Sequence, residues 1–163
     1  IMDKTLEGIK YAREGGLPFQ VNTTVTKHNI GELEELYNMA LELGAENWDV
    51  FLLVPTGRGK ALIDAELTPE EYEDALNWLY DKQKDSKIPI KLTCAPHYHR
   101  IRVEKGDEFR KFKACMGGET FGFVSHTGEV QICGFLDISC GNAKIDGFKD
   151  VWEHSPLLQE IRN

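Results

Sequence analysis

No run of the 163 residues approaches the roughly 20 uninterrupted apolar positions that a membrane-spanning helix needs. There is no basic block either: 19 Lys and Arg stand against 27 Asp and Glu, and the net charge of −8 is spread along the chain, which speaks against a nucleic-acid partner. The chain starts at Ile1 with an amphipathic pattern instead of a charged segment leading into an apolar one, so a secretion signal is not read here and the natural start is expected to lie upstream. Internal repeats and low-complexity runs are missing. The four cysteines include no C-x-x-C pair, which excludes the tight knuckles that structural zinc sites favour. These absences leave an ordinary globular chain, with 41% apolar and 28% charged residues, expected to be soluble and cytoplasmic, without membrane or nucleic-acid partners.

Leu6, Ile9 and Ala12 recur at helical spacing between Lys4 and Glu14, and Gly15-Gly16 follow where a helix needs a left-handed cap. Phe19 to Thr26 is rich in β-branched residues and reads as a strand. In it, polar Asn22 and Thr24 alternate with Val21, Thr23 and Val25, a buried face with polar groups that hints at a site. Asn29 stands as an N-cap with Glu32 three positions on, and Leu33, Leu36, Met39, Ala40 and Leu43 form the inward stripe of a helix closed by Gly44. Trp48 to Val54 is an apolar strand interrupted only by Asp49. Helix, strand, helix, strand at about 30 residues per unit is the rhythm of parallel β/α architecture, and two units do not close a barrel. The fold class is therefore α/β: the last β/α units of a partial TIM-like barrel, followed by a small α+β, hairpin-containing cysteine domain.

Pro55 to Lys60 is a glycine-rich loop at the carboxyl end of the second strand, where β/α folds place their chemistry. Thr68-Pro69-Glu70-Glu71 supplies a capping box for a helix running to about Lys84, and Ile88 to Thr93 reads as a short edge strand. From Cys94 the elements shorten and glycine rises, which sets the expected domains at 1–93 and 94–163. Phe121–Ser125 and Glu129–Cys133 flank His126-Thr127-Gly128, the grammar of a bulged hairpin. Two short helices, Phe148–His154 and one started by Ser155-Pro156 and running to Arg162, close the chain.

Cys94, Cys115, Cys133 and Cys140 are spaced C-x20-C-x17-C-x6-C. Four cysteines scattered over loops surround an iron–sulfur cluster more often than a zinc ion, because the larger cage accepts ligands from separate elements. Zinc, two disulfides and plain buried thiols remain the alternatives.

The segment Cys115 to Cys133 reads C-x12-G-x4-C with Gly128 as its glycine. It resembles the opening of the SPASM and twitch auxiliary-cluster domains of radical S-adenosylmethionine (SAM) enzymes. Gly141-Asn142, Trp152 and Leu157-Leu158 look like the tail of those domains. The full SPASM form holds two clusters on seven cysteines, so four cysteines resemble the shortened, one-cluster form. Val21 to Thr26 with Asn29, and the run Phe51 to Gly59, are similar to the fifth and sixth strands of the radical SAM partial barrel. Val-Pro-Thr-Gly-Arg-Gly, Thr-Cys-Ala-Pro-His-Tyr-His-Arg and Gln-Ile-Cys-Gly-Phe-Leu together resemble the enzymes of the alternative heme and heme d1 pathways.

The resemblance implies a metal site of Cys94, Cys115, Cys133 and Cys140 holding an auxiliary 4Fe-4S cluster. It implies SAM contacts at Asn22 and Thr24, with Leu53 and Val54 as the adenine wall. The expected substrate is a siroheme-derived tetrapyrrole or iron coproporphyrin whose propionate side chains are removed or decarboxylated. Arg58, His97, His99 and Arg100 are the candidate substrate contacts, since a guanidinium pairs with carboxylate through a planar fork. An electron donor such as ferredoxin or flavodoxin is implied as a partner. SAM cleavage in the family needs a second 4Fe-4S cluster on a C-x-x-x-C-x-x-C motif, and no two of these cysteines are three or four apart. The chain is thus expected to be a carboxyl-terminal fragment, inactive alone. Peptide-modifying radical SAM enzymes (cofactor-precursor or sulfatase-maturing) and a non-catalytic zinc-binding or electron-transfer module are the competing readings.

Overall fold

A computed structural model describes residues 2–108 and 115–163. The chain divides into two compact units, Ile1–Arg110 and Lys111–Asn163. By packing, the boundary expected at Cys94 falls inside the first unit, because the helix that follows Cys94 rests on the helix before it.

The first unit contains helices α1 (Met2–Glu14), α2 (Leu33–Leu43), α3 (Pro69–Asp85) and α4 (Tyr98–Glu104) and strands β1 (Gln20–Val25), β2 (Asn47–Leu52) and β3 (Ile90–Thr93). The strands form a parallel sheet in the order β1-β2-β3, with β3 at an edge as Pro89 suggests. Parallel strands need crossovers, and α2 and α3 supply them. Alternation decides which side chains meet these helices. Thr23, Val25, Trp48, Val50, Leu52 and Ile90 are buried, and the apolar ones pack with Leu33, Tyr37, Ala40, Leu76 and Leu79 of the two helices. Full burial of each large apolar side chain contributes about 1.5–3 kcal/mol. Trp48 is the largest fully buried side chain among the described residues, with its indole N–H donating to the Thr23 hydroxyl at 2.8 Å.

The helix signals hold in part. Thr68 and Glu71 form the reciprocal capping box at the start of α3, and Gly44 closes α2 at φ 78°. Asn29 does not cap a helix: its carboxamide turns back to the Thr26 N–H at 2.8 Å and the Thr24 carbonyl at 3.1 Å, and a 3₁₀ turn, Ile30–Glu32, intervenes before α2. The loop expected at Pro55–Lys60 instead winds into 3₁₀ turns over Gly57–Ala65. The helix expected from the stripe Leu6, Ile9, Ala12 is present, and among the described residues α1 buries no side chain.

The second unit contains strands β4 (Phe123–Val124), β5 (Glu129–Gln131) and β6 (Ser139–Asn142) and helices α5 (Phe148–His154) and α6 (Pro156–Arg162). The expected hairpin is present: Gly128, at φ 97°, makes the turn and β4 pairs antiparallel with β5. β6 adds a third antiparallel strand. Ser-Cys-Gly-Asn carries no β-branched or aromatic residue, so neither propensity nor alternation predicts it. Val130, Val151 and Leu158 form the buried centre of this unit.

Candidate functional site

In the first unit one face of the sheet is covered by helices and the other is open. The register places Asn22, Asp49 and Lys91 in one row of the open face and Thr24, Phe51 and Thr93 in the next. Asn22 and Thr24 are therefore exposed, not on a buried face as expected, and the Asn22 side-chain oxygen Oδ1 accepts from the Gln20 side-chain amide at 2.7 Å. Exposed Asn22 and Thr24 offer an amide and a hydroxyl to a ligand's polar groups, with half-buried Phe51 as an apolar surface beside them.

Beyond the end of β2, Leu53 is buried and Val54 half-buried. The Leu53 N–H donates to the Val25 carbonyl at 3.1 Å, and its own carbonyl accepts from the Tyr72 hydroxyl at 3.3 Å. Arg58 is exposed on the 3₁₀ turns that follow.

Asp49 was silent in the sequence apart from its intrusion into an apolar run. It is only 2% exposed, accepts from the Thr93 hydroxyl at 2.8 Å and pairs with Lys91 at 3.4 Å. Thr93 ends β3, and Cys94 comes next with φ 60°, a left-handed conformation that L-residues adopt at a cost of about 1–3 kcal/mol. Ala95 behind it is buried, and its carbonyl accepts the Tyr98 N–H at 3.0 Å to open α4. Anchors on both sides thus hold Cys94 outward, where its residue is exposed.

α4 carries the other candidates. The His97 ring lies 5.4 Å from that of Tyr72, and partial burial, helped by the Arg100 cation, holds its pKa below the ordinary histidine value. His99 is half-buried. Arg100 is engaged by two carboxylates, Glu73 and Glu104, so its fork already has partners and an incoming carboxylate must displace one of them.

In the second unit the three remaining cysteines sit on adjoining elements. Cys115 accepts the Gly117 N–H at 3.4 Å. Gly117 lies so close to Ile132 that a Cβ would stand 3.1 Å from its methyl group, which brings the Cys115 loop against the residue before Cys133. The Cys133 loop is closed by the buried Gln131 amide donating to Asp137 at 2.8 Å. Cys140 is the extra residue of a β-bulge, since Val130 pairs with Gly141 and Gln131 with Ser139. A bulge re-aims one side chain without ending the strand. Ser155, expected as a helix cap, makes no cap hydrogen bond. Burial pushes the Cys140 thiol's pKa up, while Ser155 and the Arg162 cation pull it down.

None of the four cysteines is in a disulfide. Among the described residues, no three Cys, His, Asp or Glu side chains converge as a ready-made metal cage. By chemistry, the thiols of Cys115, Cys133 and Cys140 are of the kind that binds iron–sulfur clusters, and the Gly117 N–H bonds the Cys115 sulfur, a contact that stabilises a thiolate.

No protein-family model matches the chain. It is 39% identical to the AdoMet-dependent heme synthase of Nitratidesulfovibrio vulgaris over 98% of its own length and 47% of that protein's. The protein of the same name from Methanosarcina barkeri is 41% identical, with 99% and 49% covered. Mycofactocin maturase MftC of Mycolicibacterium smegmatis is 27% identical, with 98% and 40% covered. Among solved structures, Streptococcus suis SuiB bound to its precursor peptide SuiA matches with a TM-score of 0.71 at 20% identity, covering 99% of this chain and 39% of that one, which is a likeness of fold. These likenesses place the chain beside proteins named AdoMet-dependent heme synthase in sequence and beside SuiB in fold. It is similar to the AdoMet-dependent heme synthases over nearly its whole length, and it spans about half the length of these curated relatives.

Proposed function

We propose that this chain is the auxiliary-cluster half of a radical SAM enzyme of heme or heme d1 biosynthesis, acting on the propionate side chains of a siroheme-derived tetrapyrrole or iron coproporphyrin. The observation that carries this reading is the 39–41% identity to AdoMet-dependent heme synthases over nearly the whole chain. The site chemistry agrees with it. Cys94, Cys115, Cys133 and Cys140 bind a 4Fe-4S cluster, which supplies electron transfer or a substrate-binding iron when present. Asn22 and Thr24 bind polar parts of SAM from the open sheet face, beside Leu53 and Val54 at the adenine. Arg58 is an exposed cation suited to a propionate, and His97, His99 and Arg100, on the helix that follows Cys94, are the further substrate contacts. The SAM-cleaving cluster needs cysteines at spacings these four do not have, so the 163 residues alone are inactive.

The test is anaerobic reconstitution with iron and sulfide, read by iron and sulfide content and by electron paramagnetic resonance after reduction. About four irons per chain are expected, while one zinc and no iron uptake would remove the cluster assignment. Iron coproporphyrin is then titrated into the loaded chain, and a shifted Soret band is expected. A second reading, peptide modification, draws on the likeness to MftC and SuiB. A Soret band unmoved by porphyrin in the complete enzyme, which retains both clusters, would favour it.

A further inference from the structure

The open face of the parallel sheet holds a buried carboxylate, Asp49, midway along β2. One of its oxygens accepts the Thr93 hydroxyl at 2.8 Å, and the other lies 3.4 Å from the Lys91 ammonium. Lys91 stands opposite Asp49 in the β2–β3 register, so it rises from the same face, and its side chain is 65% exposed. Among the described residues of the three strands, Lys91 is the cation. Arg100, on α4, already engages Glu73 and Glu104.

Burying a carboxylate is costly, and an ion pair with so exposed a partner returns little stability. What the pair supplies is geometry. A free lysine side chain loses much rotamer freedom when a ligand fixes it, and that loss weakens binding. Asp49 sets the ammonium in advance and occupies one of its three N–H donors, which leaves two for a ligand. Thr93 in turn holds the Asp49 carboxylate in place. In the next row stands half-buried Phe51, two residues or about 7 Å along the strand. A set cation beside an aromatic ring on an uncovered face suits a flat apolar ligand with carboxylates at its rim. The proposed SAM contacts Asn22 and Thr24 lie on β1, and Lys91 lies across the sheet from Asn22 by about two strand spacings, roughly 10 Å. That leaves the β3 side of the face for a second ligand.

We propose that Lys91 is a substrate-binding residue: its ammonium, set by Asp49, meets a propionate carboxylate of the tetrapyrrole, whose macrocycle edge lies over Phe51. This rests on reading the substrate as a tetrapyrrole. Lys91 is the contact and Asp49 the positioning residue. Residue order hides the pair, because Lys91 is an ordinary exposed lysine until β2 and β3 are set side by side.

The test uses the complete enzyme, with both clusters, in unsubstituted, Lys91→Gln, Lys91→Arg and Asp49→Asn forms. Iron coproporphyrin and its methyl ester, which keeps the macrocycle and has no free carboxylate, are titrated into each and read at the Soret band. Lys91→Gln is expected to raise Kd for the acid about tenfold, the loss of one charge-assisted contact, and to leave Kd for the ester unchanged. Lys91→Arg keeps the charge and should stay within about threefold of the unsubstituted enzyme. Asp49→Asn frees the lysine, so it should weaken the acid about threefold by itself and add nothing in the Lys91→Gln background. A purely structural Lys91 predicts a lower melting temperature with acid and ester affected alike, or neither affected, and either result would overturn the proposal. If Lys91→Gln does not fold, Lys91→Met, which keeps the stem without the charge, is judged by the same two ligands. An unsubstituted enzyme that binds neither porphyrin would strike the tetrapyrrole reading and this inference with it. Tight binding of the acid that survives in Lys91→Gln would strike this inference alone.

Discussion

Thr93 donates its hydroxyl to the buried Asp49 at 2.8 Å, across the β2–β3 pair, and the residue after Thr93 is the left-handed Cys94. The Lys91 partner of Asp49 is 65% exposed at its side chain, so the ion pair adds little and the hydroxyl bond does most of the holding. Thr93→Val is expected to lower stability by about 1 kcal/mol, and Asp49→Ala by about 1–3 kcal/mol. Since the two residues share one bond, a double-mutant cycle in urea should give a coupling of about 1 kcal/mol. Additive losses would show that the bond carries no weight.

Cys94 separates backbone strain from sulfur chemistry. At φ 60° glycine pays no steric penalty and alanine does. The apo form of Cys94→Gly is expected to be more stable than that of Cys94→Ala by about 1 kcal/mol in chemical denaturation. Iron uptake should fall equally in both, because each lacks the thiol. Equal apo stabilities would mean that position 94 relaxes in solution.

His97 gives a pH signature. Its folded pKa is depressed, first by partial burial and then by the Arg100 cation, with Glu73 opposing. The unfolded chain takes up the proton at about pH 6.5 and the folded chain only at lower pH. Between these values the unfolded state binds more protons, so this part of the stability is full above about pH 6.5 and is lost as pH falls toward the folded value. His97→Phe should flatten that part of the urea midpoint's pH dependence. A slope identical to the unsubstituted protein's would rule His97 out as its source.

Gly141 sits at φ 138°, and a Cβ there would lie 2.9 Å from the Val151 side chain, which is buried. Gly141→Ala is expected to cost about 1–3 kcal/mol through overpacking of β6 against α5. The melting temperature should drop, and iron uptake should drop with it because Cys140 is the neighbouring bulged residue. A melting temperature unchanged within error would mean that α5 gives way easily.

Much of this chain was legible from residue order. The β-branched run before Thr26, the apolar run after Trp48 and the stripes of α2 and α3 specify a β/α unit because burial on one face imposes a local period. The capping box at Thr68 and the turn at Gly128 were readable for a similar reason, since each is complete within four or five residues. Asn29 misled because its side chain has two possible sets of partners, and the strand's own backbone won. The stripe of α1 shows what a helix can bury, not whether anything lies against it.

The sequence by itself determined the two kinds of segment, the four cysteines and the likeness to AdoMet-dependent heme synthases, since periodicity, spacing and motif are all properties of neighbouring positions. Only the tertiary structure decided that Asn22 faces outward in a row with Asp49 and Thr24 in a row with Phe51, that Cys140 occupies a bulge opposite β5, and that the Arg162 guanidinium bonds both the Gly118 and the Trp152 carbonyls. Each of these depends on contacts between residues far apart in the chain. Their partners are chosen by packing and by the need to satisfy buried polar groups, and no local pattern records that choice.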